Sequence, residues 1–280
     1  WLFDQSGSLE NQRKHIEERF GRIYAELGVA QAAGHKSFAK HRDAPLLSAV
    51  VAFGERIAVL AQPTDDVAQI RRAVSGMQTD ESGIERTFGA VIKAVDLTKR
   101  HRAGADRRNV MFVLVTDESG NDGDLLDAAI AQCRKAEIPV YCIGVPAPFG
   151  RAQALVKYVP PAGFDQTVQW IPVDQGPESC QPEMVRIAFA SRARDEQILD
   201  SGFGPYTLTR LCYETGGIFF AVHPNRAEGR AIRDGEIAPL AARLSKFFDP
   251  EVMRNYRPDY VSQREYDRLL RANKSKEALV

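Results

Sequence analysis

The sequence predicts an α/β fold built on a doubly wound, mainly parallel sheet with one antiparallel edge strand. Two apolar runs, NVMFVLV (109–115) and IPVYCIGV (138–145), are continuous, which is typical of strands buried on both faces of a parallel sheet. A segment whose apolar residues recur at helical spacing lies between them. Strands that alternate with helices in this way favour a doubly wound sheet.

The first half of the chain supplies the remaining central strands. A short strand ends at Asp4, and apolar residues at helical spacing predict a helix from Leu9 to Leu27 that ends at Gly28. The runs LLSAVVAFG (46–54) and RIAVLAQ (56–62) are joined tightly, which predicts a hairpin and an antiparallel edge strand. A polar loop then leads into a helix whose apolar positions are Ile84, Phe88, Val91, Ile92 and Val95.

The second half continues the alternation and then interrupts it. A helix is expected over about 124–136, and LTRLCYETGGIFFAV (208–222) predicts a helix, a glycine stop and a buried strand. Between them, residues 146–205 form an ordered insertion, since a structureless loop of this length is unusual in a compact domain. Its segment ALVKYVPPAGFDQTVQWIPV predicts a hairpin. We therefore expect a domain over 1–248 with this insertion, and a helical C-terminal extension over 249–280 packed on it.

Composition excludes several classes of protein. The 280 residues carry 37 basic and 37 acidic side chains, which argues against nucleic acid or an anionic membrane surface as the main partner. No apolar run approaches the ~20 residues of a membrane span. The chain opens on Trp1 without a methionine and reads as a piece of a longer protein, so its localisation is not readable. The four cysteines show no zinc spacing and are expected to be reduced thiols.

The stretch WLFDQSGSLE (1–10) places an acid and two hydroxyls at alternate positions directly after apolar residues. These are Asp4, Ser6 and Ser8. Two interpretations are open at this point: a turn followed by a helix cap, or three oxygen ligands on one loop that face a hard cation. The pattern alone is weak, and its position in the fold has to decide.

Position favours the metal. Asp117 ends the strand NVMFVLV as Asp4 ends the first strand, and in a 3-2-1-4-5-6 sheet these two strands are neighbours at the point where ligands bind. A polar loop between them carries Thr79, with Ser82 and Thr87 as rivals. Two carboxylates and three hydroxyls suit Mg²⁺ first, with Mn²⁺ or Ca²⁺ as possible alternatives.

These residues carry a resemblance. FDQSGS, Thr79, VLVTDE and TGGIFF resemble the von Willebrand factor type A domain, a Rossmann-like fold, and its metal-ion-dependent adhesion site. The resemblance implies that Asp4, Ser6, Ser8, Thr79 and Asp117 hold Mg²⁺. Glu118 departs from the family, which usually has glycine after the last aspartate, and the second loop is longer than usual.

A cation held largely by neutral hydroxyls keeps much of its positive charge, so an incoming carboxylate can complete its shell. The expected function is divalent-cation-dependent adhesion or assembly, in which the partner is a protein with an exposed Asp or Glu. Two alternatives stay open, a metal-assisted hydrolase or phosphotransferase at the same site and a purely structural site. The chain has no phosphate-loop motif or nucleophile elbow, and we expect that it is not an enzyme.

Overall fold

The computed structural model describes residues 1–32, 46–104, 107–158, 163, 165–167, 169–182, 201–222, 257–278 and 280. The chain forms two compact units, Trp1–Tyr141 and Cys142–Val280. Helices flank a mainly parallel sheet that has one antiparallel strand, so the predicted fold class is confirmed.

The first unit contains most of the parallel sheet. In chain order its elements are β1 (Leu2–Asp4), α1 (Glu10–Ala32), β2 (Ser48–Phe53), β3 (Ile57–Thr64), α2 (Val67–Ser75), α3 (Thr87–Thr98), β4 (Phe112–Val115), α4 (Leu126–Lys135) and the start of β5 (Val140–Gly144). Short 3-10 turns cover 7–9, 99–102 and 123–125.

The strand order of this unit is β3-β2-β1-β4-β5, as the sequence predicts. β1 is parallel to both of its neighbours, with Phe3 opposite Ala52 of β2 and opposite Val115 of β4. β3 is antiparallel to β2 and forms the predicted edge hairpin. The carboxyl ends of β1 and β4 are therefore adjacent, which places the residues that follow them at one edge of the sheet.

The core of the unit lies between the strands and the flanking helices. Phe3, Phe53 and Leu114 of the sheet and Ile70 and Phe88 of the helices are fully buried. Burial of each such side chain contributes roughly 1.5–3 kcal/mol. The end of β1 is thus held by packing on both faces.

The prediction that Gly28 ends the first helix is wrong. α1 continues to Ala32, so Gly28 lies inside it. Glycine in a helix interior costs about 1 kcal/mol relative to alanine. That cost weakens a helix without ending it, and good helix formers follow Gly28. Residues 33–45 lie outside the described chain.

The helix that follows the polar loop around Thr79 also differs from the prediction. α3 begins at Thr87, so Ile84, expected on the helix, lies before it and is exposed. The start is set from outside, because Asp122 accepts hydrogen bonds from the backbone N–H groups of Phe88 and Gly89. α2 was not among the predicted elements.

The second unit carries the remaining elements. Its elements are the end of β5, β6 (Gln153–Tyr158), β7 (Gln169–Asp174), α5 (Tyr206–Thr215), β8 (Phe219–Ala221), α6 (Gln263–Ala272) and α7 (Lys274–Glu277). β6 and β7 form the predicted antiparallel hairpin. Of the connection between them, only residues 163 and 165–167 are described. α5 ends at Gly216, whose φ of 82° is left-handed, and β8 then pairs in parallel with β5.

Two details concern the end of this unit. β8 was predicted as a buried strand, but Phe219 is half-buried and Phe220 exposed, because β8 is the outermost strand of the sheet. In the C-terminal segment, Ser262 caps α6 and the Tyr266 side chain is buried. Among the described residues no helix is both long and apolar enough to cross a membrane.

Candidate metal centre

The first loop leaves β1 in a tight turn around the Asp4 carboxylate. Asp4 is fully buried, and its Oδ1 accepts a hydrogen bond of 2.7 Å from the Ser6 N–H. This hydrogen bond closes an Asx turn, in which an aspartate side chain accepts from the backbone N–H two residues further along the chain. Ser6 Oγ and Ser8 Oγ lie 3.1 Å apart, and the Ser8 side chain reaches solvent. The turn thus presents two hydroxyls side by side above one carboxylate.

The third loop brings Asp117 to the same place. Because β1 and β4 are paired in parallel, Thr116 stands beside Asp4, and its hydroxyl donates a 2.7 Å hydrogen bond to Asp4 Oδ2. Asp117 accepts hydrogen bonds from the side chains of Ser6 and Ser8. The structure therefore brings together four of the five residues predicted as ligands, namely Asp4, Ser6, Ser8 and Asp117.

The second loop lies against the first and is hydrogen-bonded to it on both sides of Thr79. The Asp80 N–H donates to the Gln5 carbonyl at 2.9 Å, and the Gln5 side chain donates to the Gln78 carbonyl at 2.9 Å. The Thr79 methyl carbon lies 3.4 Å from the position that a Cβ on Gly7 would take. Thr79 is exposed, and it is the methyl group that contacts the first loop.

The Asp80 carboxylate is occupied by hydrogen bonds that stabilise the second loop. Its carboxylate accepts hydrogen bonds of 2.8 Å from the backbone N–H groups of Glu55 and Ser82. It lies so close to Gly54 that a Cβ there would be 2.3 Å from Asp80 Oδ2. The hydrogen bonds from Ser82 lower the pKa of Asp80. Asp80 therefore fastens the second loop to the turn between β2 and β3.

A buried acid that the sequence did not single out completes the cluster. Glu85 is 2 % exposed and is hydrogen-bonded to the Asp4 carboxyl group. Burial and the charge of Asp4 raise the pKa of Glu85 to about 10, so Glu85 is the protonated partner and donates to Asp4. Burial and Asp4 raise the pKa of Asp117 to about 6, and burial raises the pKa of Asp4 itself.

A buried arginine side chain lies close to these acids. Arg13, on α1, is 4 % exposed, and its Nη1 donates hydrogen bonds of 2.8 Å to the carbonyl oxygens of Asp4 and Ser6. Burial lowers the pKa of Arg13, and the charges of Asp4, Glu10, Asp117 and Glu85 oppose that effect. Arg13 thus fixes the backbone of the first loop and lowers the electrostatic repulsion among the carboxylates.

The second and third loops are also fastened to each other. The Asn121 N–H donates to the Glu85 carbonyl at 2.8 Å, and the Glu85 N–H donates to Asn121 Oδ1 at 2.5 Å. Asp122 caps α3 with its carboxylate. The backbone of Glu85 is consequently held by the loop that also carries Asp117.

The side chains suit a hard cation by chemistry. Asp117 Oδ1 and Glu85 Oε2 are buried and have no hydrogen-bond partner in the part of the chain that is described. Buried polar atoms are normally satisfied, and a bound ion is one of the standard explanations for an exception. In the same part of the chain, no set of three or more His, Cys, Asp or Glu side chains stands in metal-binding geometry. The carboxyl groups are instead joined by hydrogen bonds to one another and to the serines.

Comparison with known proteins identifies the family. The sequence profile of the von Willebrand factor type A domain matches residues 2–158, more than half of the chain. The chain therefore belongs to the von Willebrand factor type A family, whose members commonly mediate protein interactions. This confirms the resemblance to the von Willebrand factor type A domain. No match was found among curated proteins.

Several solved structures are distantly similar to this chain. A conserved hypothetical protein, BatB, from Bacteroides thetaiotaomicron is 14% identical over 88% of this chain and 95% of that chain, with a TM-score of 0.45. An aerotolerance-related membrane protein from Bacteroides fragilis is 15% identical with the same coverage and a TM-score of 0.40. Proximal thread matrix protein 1 from the mussel byssus, with a zinc-occupied site of the same motif, is 16% identical over 52% of this chain and 37% of its own, with a TM-score of 0.36. Likenesses this distant transfer no functional residue.

Proposed function

We propose that this domain binds a protein partner through a divalent cation held at the edge of the sheet where β1 and β4 end. Asp4, Ser6, Ser8 and Asp117 would hold the cation, with Thr79 as the ligand that the sequence predicts from the second loop. Mg²⁺ is the first candidate, and Mn²⁺ or Ca²⁺ would suit the same all-oxygen set. The observation that carries the proposal is the buried, unpartnered Oδ1 of Asp117 beside the two serine hydroxyls.

The residues of the chain act by position and by charge. Asp4 is oriented by Ser6 N–H and Thr116, and Asp117 is oriented by Ser6 and Ser8. When bound, the cation supplies a positive centre that an anionic oxygen can complete. Since Ser8 is exposed, the open side of the site faces solvent, where an Asp or Glu of a partner can reach it. A carboxylate is the partner group that best matches a cation held largely by neutral hydroxyls.

The extent of the domain belongs to the same proposal. We place the von Willebrand factor type A domain at 1–248, with the insertion at 146–205 and the C-terminal extension at 249–280. The family profile ends at residue 158, after the first strand of the insertion hairpin. Inside the second unit, the Tyr206 hydroxyl donates to the Val261 carbonyl, which ties the extension to α5 and supports its packing on the domain.

The test is a calorimetric titration of the metal-stripped chain with Mg²⁺ and with Mn²⁺. We expect saturable one-site binding in the wild type and none in an Asp4→Ala/Asp117→Ala variant. Asp96→Asn, at an exposed acid of α3 paired with Lys99, is the matched control and should bind as the wild type does. A folded wild type that binds neither ion would overturn the proposal. Phosphate-ester turnover that Asp4→Ala abolishes would favour the enzymatic alternative instead.

A further inference from the structure

Glu85 differs from the other acids of the second loop in being almost completely buried. Asp80 is half-buried and Glu81 is exposed, whereas Glu85 is 2 % exposed. Asn121 is hydrogen-bonded to both the N–H and the carbonyl of Glu85. These two hydrogen bonds fix the Glu85 backbone and therefore the direction in which its side chain leaves the loop. Carboxylic acids are rarely buried in proteins unless they are paired or bind a ligand.

The side chain points into the proposed metal site. Glu85 donates to the Asp4 carboxyl group, and the charges of Asp4, Glu118 and Asp117 all act on it. Its second oxygen, Oε2, is buried and lacks a hydrogen-bond partner among the described residues. A buried carboxyl group with one oxygen satisfied by another carboxyl and the other oxygen unsatisfied is a poor structural arrangement. A cation beside Asp4 would satisfy this oxygen.

The hydroxyls of the second loop are placed less favourably. Thr79 is exposed and turns its methyl group to Gly7. Ser82 is exposed, and its Oγ accepts a hydrogen bond from the Ile84 N–H inside its own turn. Thr87 Oγ1 is buried and without a partner in the described chain, but it lies beside Gly120, where a Cβ would be 2.9 Å away. Glu85 is in direct contact with Asp4.

The charge at the site tolerates a third carboxylate because of Arg13. Asp4, Asp117 and Glu85 would together bring three negative charges, which exceed the charge of a divalent cation by one. Arg13 is buried behind the same loop and interacts electrostatically with all three acids. The three carboxylates, the Arg13 guanidinium and the divalent cation then have a net charge of zero. This is the same net charge as that of two carboxylates and one divalent cation without Arg13. The site can then still accept a carboxylate from a partner.

We propose that Glu85 is the ligand that the second loop contributes to the cation, in the place where the sequence predicts Thr79. This inference rests on the proposed function, since it concerns the same site. A carboxylate in place of a neutral hydroxyl raises the affinity for hard divalent cations, because affinity for them follows the number of charged ligands. The second loop of this chain therefore determines how tightly the cation is held.

The experiment compares direct metal binding in variants of the full chain. Glu85→Gln keeps the size of the side chain and removes its carboxylate. Thr79→Ala and Thr87→Val remove the two competing hydroxyls, and Glu137→Gln is the control at an acid far along the chain from the site. We expect Glu85→Gln to weaken Mn²⁺ and Mg²⁺ binding about tenfold or more, and the other three variants to stay within about threefold of the wild type.

Calorimetry is the primary readout, and the electron paramagnetic resonance of bound Mn²⁺ is the second. Glu85→Asp covers the case in which Glu85→Gln does not fold, because it keeps the charge and shortens the reach; we expect it to bind with intermediate affinity. The inference is overturned if Glu85→Gln binds metal as the wild type does. It is equally overturned if Thr79→Ala loses metal binding while Glu85→Gln retains it. A wild type that binds no metal overturns the proposed function instead, so the two failures are distinguishable.

Discussion

Two arginines of the first unit, the buried Arg13 and the half-buried Arg102, lie at opposite ends of its sheet, and their surroundings differ. Arg102 donates hydrogen bonds of 2.7 Å to the carbonyl oxygens of Ala136 and Arg108, before β5 and β4, and pairs with Glu137, whose side chain is 67% exposed. Arg13 makes the same kind of backbone hydrogen bonds at the other end, where β1 terminates. The acids near Arg13, however, are buried.

The difference separates a structural cluster from a binding cluster. At the Arg102 end the carboxylate is hydrated and paired, and such exposed pairs contribute little to stability. At the Arg13 end Asp4 and Glu85 are buried and Asp117 is half-buried, and two buried oxygens, Glu85 Oε2 and Asp117 Oδ1, have no hydrogen-bond partner among the described residues. Burial without full hydrogen bonding costs stability, and functional sites are where proteins retain such arrangements.

Replacement of the two arginines is the strongest test of this comparison. Arg13→Met leaves two carbonyl oxygens and the buried acids without their cation, so we expect the metal-free protein to lose about 4 kcal/mol of unfolding free energy. Arg102→Met should cost about 2 kcal/mol, because it removes two hydrogen bonds to carbonyl oxygens and an ion pair with Glu137, whose exposed carboxylate stays solvated. Urea unfolding in a chelator, followed by Trp1 fluorescence in a Trp170→Phe background, measures both. Equal losses would contradict the distinction.

The pH dependence of the metal-free protein should reveal the cost of the buried acids. The pKa of Asp117 is about 6 in the folded protein, against an ordinary value of 3.8. The folded state therefore binds more protons than the unfolded state between these values, and stability falls as the pH rises through them. Relative to Asp117→Asn, the wild type should lose about 3 kcal/mol between pH 3 and pH 7, from about 1.4 kcal/mol for each unit of pKa shift.

Urea unfolding of both proteins across that range provides the measurement. Saturating Mg²⁺ should remove the loss from the wild type and leave Asp117→Asn unchanged. A wild type that gains stability relative to Asp117→Asn as the pH rises would show that Asp117 is stabilised by its charge without metal, which would contradict our interpretation of the site.

Much of this site could be predicted because sheet topology determines it. Asp4 and Asp117 follow apolar strands, and the strand order of a doubly wound sheet places such ends together. Ser6 and Ser8 follow from the spacing within one short loop. None of these inferences needed a contact between distant side chains.

The second loop could not be predicted for the opposite reason. Its course is set by contacts with residues far away in the chain, Asp80 with Glu55 and Glu85 with Asn121. Glu85 has no local signal that distinguishes it from an exposed acid before a helix, where acids are favoured by the helix dipole. Arg13 likewise reads as a surface residue of a polar helix. A buried charge is recognisable only when its partners are known.

Saturation with a divalent cation should stabilise the Arg13 end of the first unit. At a free Mg²⁺ concentration one hundred times the dissociation constant, we expect a gain of about 2.7 kcal/mol in unfolding free energy. Arg102→Met should gain the same amount as the wild type, because the other end of the sheet does not contact the cation. Asp4→Asn/Asp117→Asn should gain nothing. A gain in that double variant would locate the stabilising ion elsewhere.

The smallest expected effect on stability comes from two residues that cap helices, Asp66 and Asp122. Asp66 caps α2 from its own N-terminus, where it accepts hydrogen bonds from the Ala68 and Gln69 N–H groups. Asp122 caps α3 from the third loop, which also carries Asp117 and fastens Glu85. Either change to alanine should cost about 1 kcal/mol of unfolding free energy, the usual loss for a cap.

The two cap variants should nevertheless differ in metal affinity. Asp122→Ala loosens the loop that positions Asp117 and the backbone of Glu85, so we expect it to weaken Mn²⁺ binding by about tenfold, the lower end of the effect of removing groups that orient metal ligands. Asp66→Ala leaves that loop intact and should bind as the wild type does. Urea unfolding and calorimetry on the same samples give both quantities. Equal affinities at equal stability losses would mean that the capping contact supports α3 alone, and that the first and third loops are positioned by β1 and β4 without it.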